Sequence, residues 1–188
     1  MKSVVVTIIL LIASFSPDSN DRSIEKVKHL ATPGVDSAYE SAVSVIKEHE
    51  GFVGSVYLCP AGQATIGYGH AMRSGDPRSV TEAQADSMLR ADLDSCMGYV
   101  SRRTKLTGNR LVAIAHFAYC FGGAKLEKST LLQRILAGKP IDDVILNYVN
   151  YKKIISATDS TSEDTCWIQS AYLLKMRKWE LDLYLRGI

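Results

Sequence analysis

Between Phe52 and Gly69 the chain carries four glycines and one proline, threaded among β-branched and aromatic residues. No helix runs through such a stretch, because glycine and proline each penalise a helix interior. It reads instead as short strands, Val56-Tyr57-Leu58 and Thr65-Ile66-Gly67-Tyr68-Gly69, around the turn Pro60-Ala61-Gly62. On both sides the apolar periodicity is helical. Upstream, Asp36 or Ser37 can cap a helix with Ala38, Ala42, Val45 and Ile46 on one face and Gly51 as its stop. Downstream, Thr81 and Gln84 have capping-box spacing, and Ala85, Met88, Leu89, Leu93 and Met97 share a face.

Beyond residue 107 everything reads helical. Leu111 to Tyr119 runs up to Gly122-Gly123, and Ser129-Thr130 opens a helix that Gly138 closes. Ile141 to Tyr151 and Trp167 to Leu185 are predicted as two more, with the polar residues 156–165 as an exposed loop. The predicted class is α+β: a small N-terminal β-hairpin lobe and a larger helical lobe.

With 188 residues, 46% of them hydrophobic, the chain holds one ordinary core and not two large ones. A formal charge of +2 excludes the basic excess of a dedicated nucleic-acid binder. Lys2 followed by a largely apolar run from Val4 to Phe15 and then by Ser16-Pro17-Asp18 has the layout of an export signal. That run is shorter than the roughly 20 residues of a spanning helix, so no stable anchor beyond the signal is expected. The predicted organisation is a signal at 1–20, a linker at 21–36 and one catalytic domain at 37–188. The four cysteines, Cys59, Cys96, Cys120 and Cys166, form no CxxC pair or Cys/His cluster, so no metal site is predicted. In an exported chain they allow three complete pairings, and the sequence does not choose among them.

The chemistry is concentrated in Glu50-Gly51-Phe52-Val53-Gly54-Ser55-Val56-Tyr57-Leu58-Cys59-Pro60-Ala61-Gly62-Gln63-Ala64-Thr65-Ile66-Gly67-Tyr68-Gly69-His70. Eight residues separate Glu50 from Cys59, and five separate Cys59 from Thr65. This segment resembles the catalytic segment of the phage-type lysozymes, the muramidase family of tailed-phage endolysins, in its Cys-containing form. Thr81 to Leu93, Leu111 to Gly122 and Ser129-Thr130-Leu131-Leu132 resemble later helices of that family, with Cys120 where an Asn is usual. Lys175 to Glu180 resembles its C-terminal helix less closely.

The resemblance implies a lysozyme-like fold with a cleft between the lobes, and Glu50, Cys59 and Thr65 as catalytic residues. It implies cleavage of the β-1,4 bond between N-acetylmuramic acid and N-acetylglucosamine in peptidoglycan, without a cofactor. Peptidoglycan glycan strands are the expected partner, a monomer the expected state, and the periplasm or cell exterior the expected location.

The residue types suit that chemistry. Glycoside cleavage needs a protonated acid beside the leaving oxygen. A free Glu, with a pKa of about 4.3, is ionised at neutral pH. Burial raises that value, and the negative end of a helix dipole pushes the same way. Phe52, Val53 and Tyr57 are candidate walls for Glu50, and Glu48 reads as an exposed neighbour. Cys59 is able to place or deprotonate water, or to attack the anomeric carbon. Thr65 offers a hydroxyl that both donates and accepts. His70 is expected to be structural, bonded to backbone or an acid, while His29, His49 and His116 show no partner pattern. Arg177 or Lys175 is a candidate ion-pair partner for Glu50. The competing reading is a lysozyme-like module that grips glycan without cutting it.

Overall fold

The computed structural model describes residues 33–59, 62–148, 150–155, 164–169 and 171–187. The expected export signal at 1–20 and nearly all of the expected linker at 21–36 lie outside these residues. Side chains are described neither at 33–35 nor in 150–155 and 164–169.

Helix α1 spans Pro33–Glu50, starting a few residues before the expected cap. Proline suits a first helical position, since its missing N–H has no partner there anyway. A three-stranded antiparallel sheet follows: β1 (Val53–Leu58), β2 (Ala64–Gly67) and β3 (His70–Ala71), in the order β1-β2-β3. The two-residue β3 is absent from the sequence reading; it pairs Ile66 with His70 and Thr65 with Ala71. The chain then doubles back along the other side of β1. Val56 N–H donates to Arg78 O at 3.2 Å, Val80 N–H donates to Gly54 O at 2.9 Å, and Ser55 bridges Ser79.

Helix α2 (Glu82–Arg103) opens with the expected capping box. Thr81 N–H donates to Gln84 Oε1 at 2.8 Å, and Gln84 N–H returns to Thr81 Oγ1 at 3.3 Å. Such a cap contributes about 1 kcal/mol. Helix α3 (Gly108–Phe121) is buried at every position from Leu111 to Cys120, the mark of a central helix enclosed on all sides. Around it pack Ala42 and Ile46 of α1, Leu89 and Leu93 of α2, and Leu173 and Met176 of the last helix. Short helices α4 (Gly123–Glu127), α5 (Thr130–Leu136) and α6 (Asp142–Ile145) complete that side; Ser129 caps α5 through Leu132 N–H.

The C-terminal third departs from the all-helical expectation. In place of a helix from Ile141 to Tyr151 there is one turn of helix followed by β4 (Asn150–Ile155). Strand β4 pairs antiparallel with β5 (Asp164–Gln169), and α7 begins only at Ala171. Ile154, Ile155, Thr165 and Ile168 are β-branched, and they favour strands over the helix that apolar spacing alone suggested. Helix α7 spans Ala171–Leu185 and packs on α3.

Side-chain ties fix α1 to α2. Arg90 grips Glu40 with both terminal nitrogens at 2.6 and 2.9 Å and Asp86 at 2.8 Å, while Lys47 reaches Asp86 at 2.8 Å. Tyr119 hydroxyl donates to Tyr68 O at 2.8 Å, tying the β2–β3 turn to the buried helix. The small sheet is therefore held against the helical lobe at its base.

Candidate active site

Glu50 is the last residue of α1, and Gly51 turns the chain out of the helix at φ +67°. The side chain of Glu50 is only 10% exposed, and Oε2 has no hydrogen-bond partner among the described residues. Burial lifts its carboxyl from 4.5 to about 7. The acid is thus substantially protonated near neutral pH, without a neighbouring carboxylate to force it.

The walls around it are polar aromatics and backbone. Gly69, at φ +93°, comes so close that a Cβ there would sit 3.4 Å from Glu50 Oε2. Tyr57 of β1 is half-buried, and its phenol is pushed up to about 12, first by burial, then by Glu50, then by Cys59. The buried Tyr119 of α3 and the half-buried Tyr172 of α7 feel the same carboxylate. Of the walls expected from sequence, Tyr57 feels the Glu50 carboxylate, whereas Phe52 is exposed and its ring lies 5.8 Å from Tyr68.

Cys59 and Thr65 meet at the hairpin end. Cys59 N–H donates to Gln63 O at 2.9 Å, and Thr65 Oγ1 donates to the same oxygen at 3.0 Å. Both residues are almost fully buried. Tyr57 stands opposite Thr65 in the β1–β2 register and feels both Glu50 and Cys59. It is the common neighbour of all three sequence-derived site residues. Because the Thr65 hydroxyl proton is committed to Gln63, its lone pairs remain available as acceptors.

The remaining expectations divide. His70 is structural as anticipated: Nδ1 lies 2.6 Å from Asp92 and Nε2 3.1 Å from Asp76. Neither basic candidate pairs with Glu50. Lys175 is exposed and sits 3.6 Å from Glu48, where a solvated lysine has the lower desolvation cost. Arg177 is fully buried and lies 3.1 Å from Glu180 Oε1, an acid three residues along the same helix.

Two histidines without a visible partner pattern prove to be engaged. His49 Nε2 lies 3.7 Å from Glu50 Oε1, and its ring stacks on Tyr172 at 3.5 Å. Burial, and then His116, pull its pKa down to about 4, so it stays neutral beside the acid. His116 Nδ1 meets Glu180 Oε1 at 2.7 Å inside the protein. Its position four residues before Cys120 puts it on the same face of α3, but nothing local points to a partner 64 residues away. Among the described residues, no group of three or more His, Cys, Asp or Glu side chains is placed to hold a metal ion, and Cys59, Cys96 and Cys120 are free thiols.

A helical lobe built around a buried central helix, with a small sheet folded over a protonatable glutamate at a helix end, is the architecture of a lysozyme-type hydrolase. The chain belongs to the phage lysozyme family, whose model matches residues 47–158, more than half of the sequence. It is 32% identical over 101 residues to an endolysin of Acyrthosiphon pisum secondary endosymbiont phage 1, covering 53% of this chain and 69% of that protein. It is also 32% identical over 105 residues to an endolysin of Bacillus phage PZA, where the match covers 53% of this chain but only 41% of the relative. Among solved structures, the muramidase domain of SpmX from Asticaccaulis excentricus superposes with a TM-score of 0.61 at 27% identity, over 77% of this chain and 95% of that one.

Proposed function

We propose that the protein is a muramidase that hydrolyses the β-1,4 bond between N-acetylmuramic acid and N-acetylglucosamine in peptidoglycan, with Glu50 as general acid. In this reading Glu50 passes its proton to the leaving glycosidic oxygen as the bond to the anomeric carbon breaks. A water oxygen bonds to that carbon and releases its own proton toward the Cys59–Thr65 end of the hairpin. Thr65 accepts a hydrogen bond from the water, the Cys59 sulfur at the same turn orients it or, as a thiolate, takes up its proton, and solvent then returns a proton to Glu50. The net reaction consumes one water and needs no cofactor.

One observation carries the proposal. Glu50 is a buried carboxyl with an unpartnered oxygen, raised to about 7 by burial, in the segment that resembles the family's catalytic stretch. A general acid works best when its pKa lies near the working pH. The N-terminal segment fits the same picture as an export signal that brings the domain to the wall.

The test is digestion of purified sacculi by wild type and Glu50→Gln, with mass spectrometry of the released fragments. New reducing ends on N-acetylmuramic acid, formed by wild type and not by the variant, are expected. Ends on N-acetylglucosamine would exclude this bond, and binding without any cleavage would favour the glycan-gripping alternative.

A further inference from the structure

The proposed chemistry gives roles to Glu50, Cys59 and Thr65 and none to Tyr57, which stands among them. Its place follows from strand geometry. Successive side chains alternate between the faces of a strand, and residues directly opposite in an antiparallel pair share a face. Tyr57 lies opposite Thr65. Cys59, two residues further on, keeps the same register, its N–H donating to Gln63 O at 2.9 Å. One face of the hairpin therefore carries Tyr57, Cys59 and Thr65 together. Val56, which alternates to the other face, packs on the apolar core.

Tyr57 differs from the other half-buried tyrosines. Tyr39, Tyr99 and Tyr148 pack against the core, and their hydroxyls are engaged by Asp94, Glu127 and Thr130. Tyr57 is equally half-buried, yet among the described residues it neither joins that core nor makes a hydrogen bond through its hydroxyl. A ring with an apolar body and a polar tip, held half open beside the site, suits a ligand that is itself part apolar and part polar. The phenol also stays a donor at neutral pH, since burial, then Glu50, then Cys59 push it up to about 12.

We propose that Tyr57 is a substrate-contact residue: its ring lies against the sugar that the water attacks, and its hydroxyl donates to an oxygen of that sugar. A pyranose matches both parts of the side chain. Its C–H faces are apolar, and its rim of hydroxyl, ring and amide oxygens accepts hydrogen bonds. The identity of the sugar rests on the proposed function. A water held at Thr65 and Cys59 bonds to the anomeric carbon of the N-acetylmuramic acid unit, so the residue sharing their face meets that unit. The contact binds the glycan; it moves no proton.

Binding is measured without turnover, by calorimetric titration of Glu50→Gln with a purified peptidoglycan tetrasaccharide. Adding Tyr57→Phe removes the hydroxyl and keeps the ring, and Kd should rise about three- to tenfold. Adding Tyr57→Leu removes the ring as well and should weaken binding further. The thermal midpoint of the Phe variant should stay near that of its parent, because the hydroxyl has no bond within the described residues to lose. In the protein with Glu50 intact, Tyr57→Phe should raise KM more than it lowers kcat. A Tyr57 that merely covers the hairpin would leave Kd and KM of the Phe variant unchanged, which overturns the proposal. A tetrasaccharide that Glu50→Gln does not bind at all overturns it too. Should Tyr57→Phe not fold, Glu50→Gln carrying 13Cζ-labelled tyrosine decides. The Tyr57 resonance should move on saturation with the tetrasaccharide, and a resonance that stays in place overturns the contact. Cleavage retained by Glu50→Gln would remove the acid assignment alone, and KM of the Tyr57 variants would then judge the role of Tyr57.

Discussion

The Cα of Gly69 faces the carboxylate of Glu50 so closely that a methyl group placed there would lie 3.4 Å from Oε2. At φ +93° the position also disfavours any side chain. Gly69→Ala should therefore lower stability by about 1–3 kcal/mol from backbone strain. It should also lower wall hydrolysis, because relief of that strain shifts the turn that packs on the Glu50 carboxylate. Thermal melts and turbidity clearance on the same preparation measure both; unaltered activity in a destabilised protein would show that the contact is packing alone.

Glu50→Gln should abolish hydrolysis and stabilise the fold at alkaline pH. The folded carboxyl titrates near 7 and the unfolded one near 4.5, so between these values the unfolded chain binds fewer protons. Wild-type stability is then lost as pH rises from about 4.5 through 7, by about 3 kcal/mol in full. Glutamine carries no such loss. Urea melts at pH 5 and pH 8 should show the variant's advantage only at the higher value.

Thr65→Val keeps the shape and removes the hydroxyl. Gln63 O keeps its bond from Cys59 N–H, so the stability cost should be only about 1 kcal/mol. Activity should fall much further, and Thr65→Ser should recover most of it. Equal kcat for Val and Ser would remove Thr65 from the water-handling role.

Cys59→Asp should remain active, because a carboxylate at this turn can serve the same water, whereas Cys59→Ala should be badly impaired. With the residue only 4% exposed, iodoacetamide should inactivate the native enzyme slowly and the urea-loosened enzyme fast. Rapid inactivation under native conditions would mean that the turn opens.

For His70, burial depresses the imidazolium but Asp92 and then Asp76 more than offset it, and the net pKa is raised. A raised histidine contributes stability that is fully present below about 6.5, its unfolded value, and is lost as pH rises through the folded one. His70→Asn should cost more stability at pH 6 than at pH 9. Chemical melts at the two values give the sign directly.

The helix-end position of Glu50 was legible because a Glu followed by a glycine-rich strand unit is a local pattern, spelled out within twenty-one consecutive residues. The Thr81–Gln84 cap is local too, and it forms as read. What escaped was set by distance along the chain. His116 and Glu180 meet across 64 residues, and Arg177 is drawn to Glu180 by a burial that periodicity does not reveal. The β4–β5 hairpin escaped for a different reason: short apolar runs fit either period, and only strand pairing between 150–155 and 164–169 decides.

The return of residues 78–80 along β1 has a consequence for the life of this lobe among other proteins. Strand β1 is paired on both sides, by β2 and by the doubled-back chain, and the opposite margin of the sheet is a strand of two residues. Exposed strand margins are templates on which other chains stack. Among the described residues of this sheet, that opposite margin is too short to seed such growth, and an arginine, Arg78, stands in the segment covering Gly54–Val56. The small sheet is thus blunted against edge-to-edge pairing with other chains.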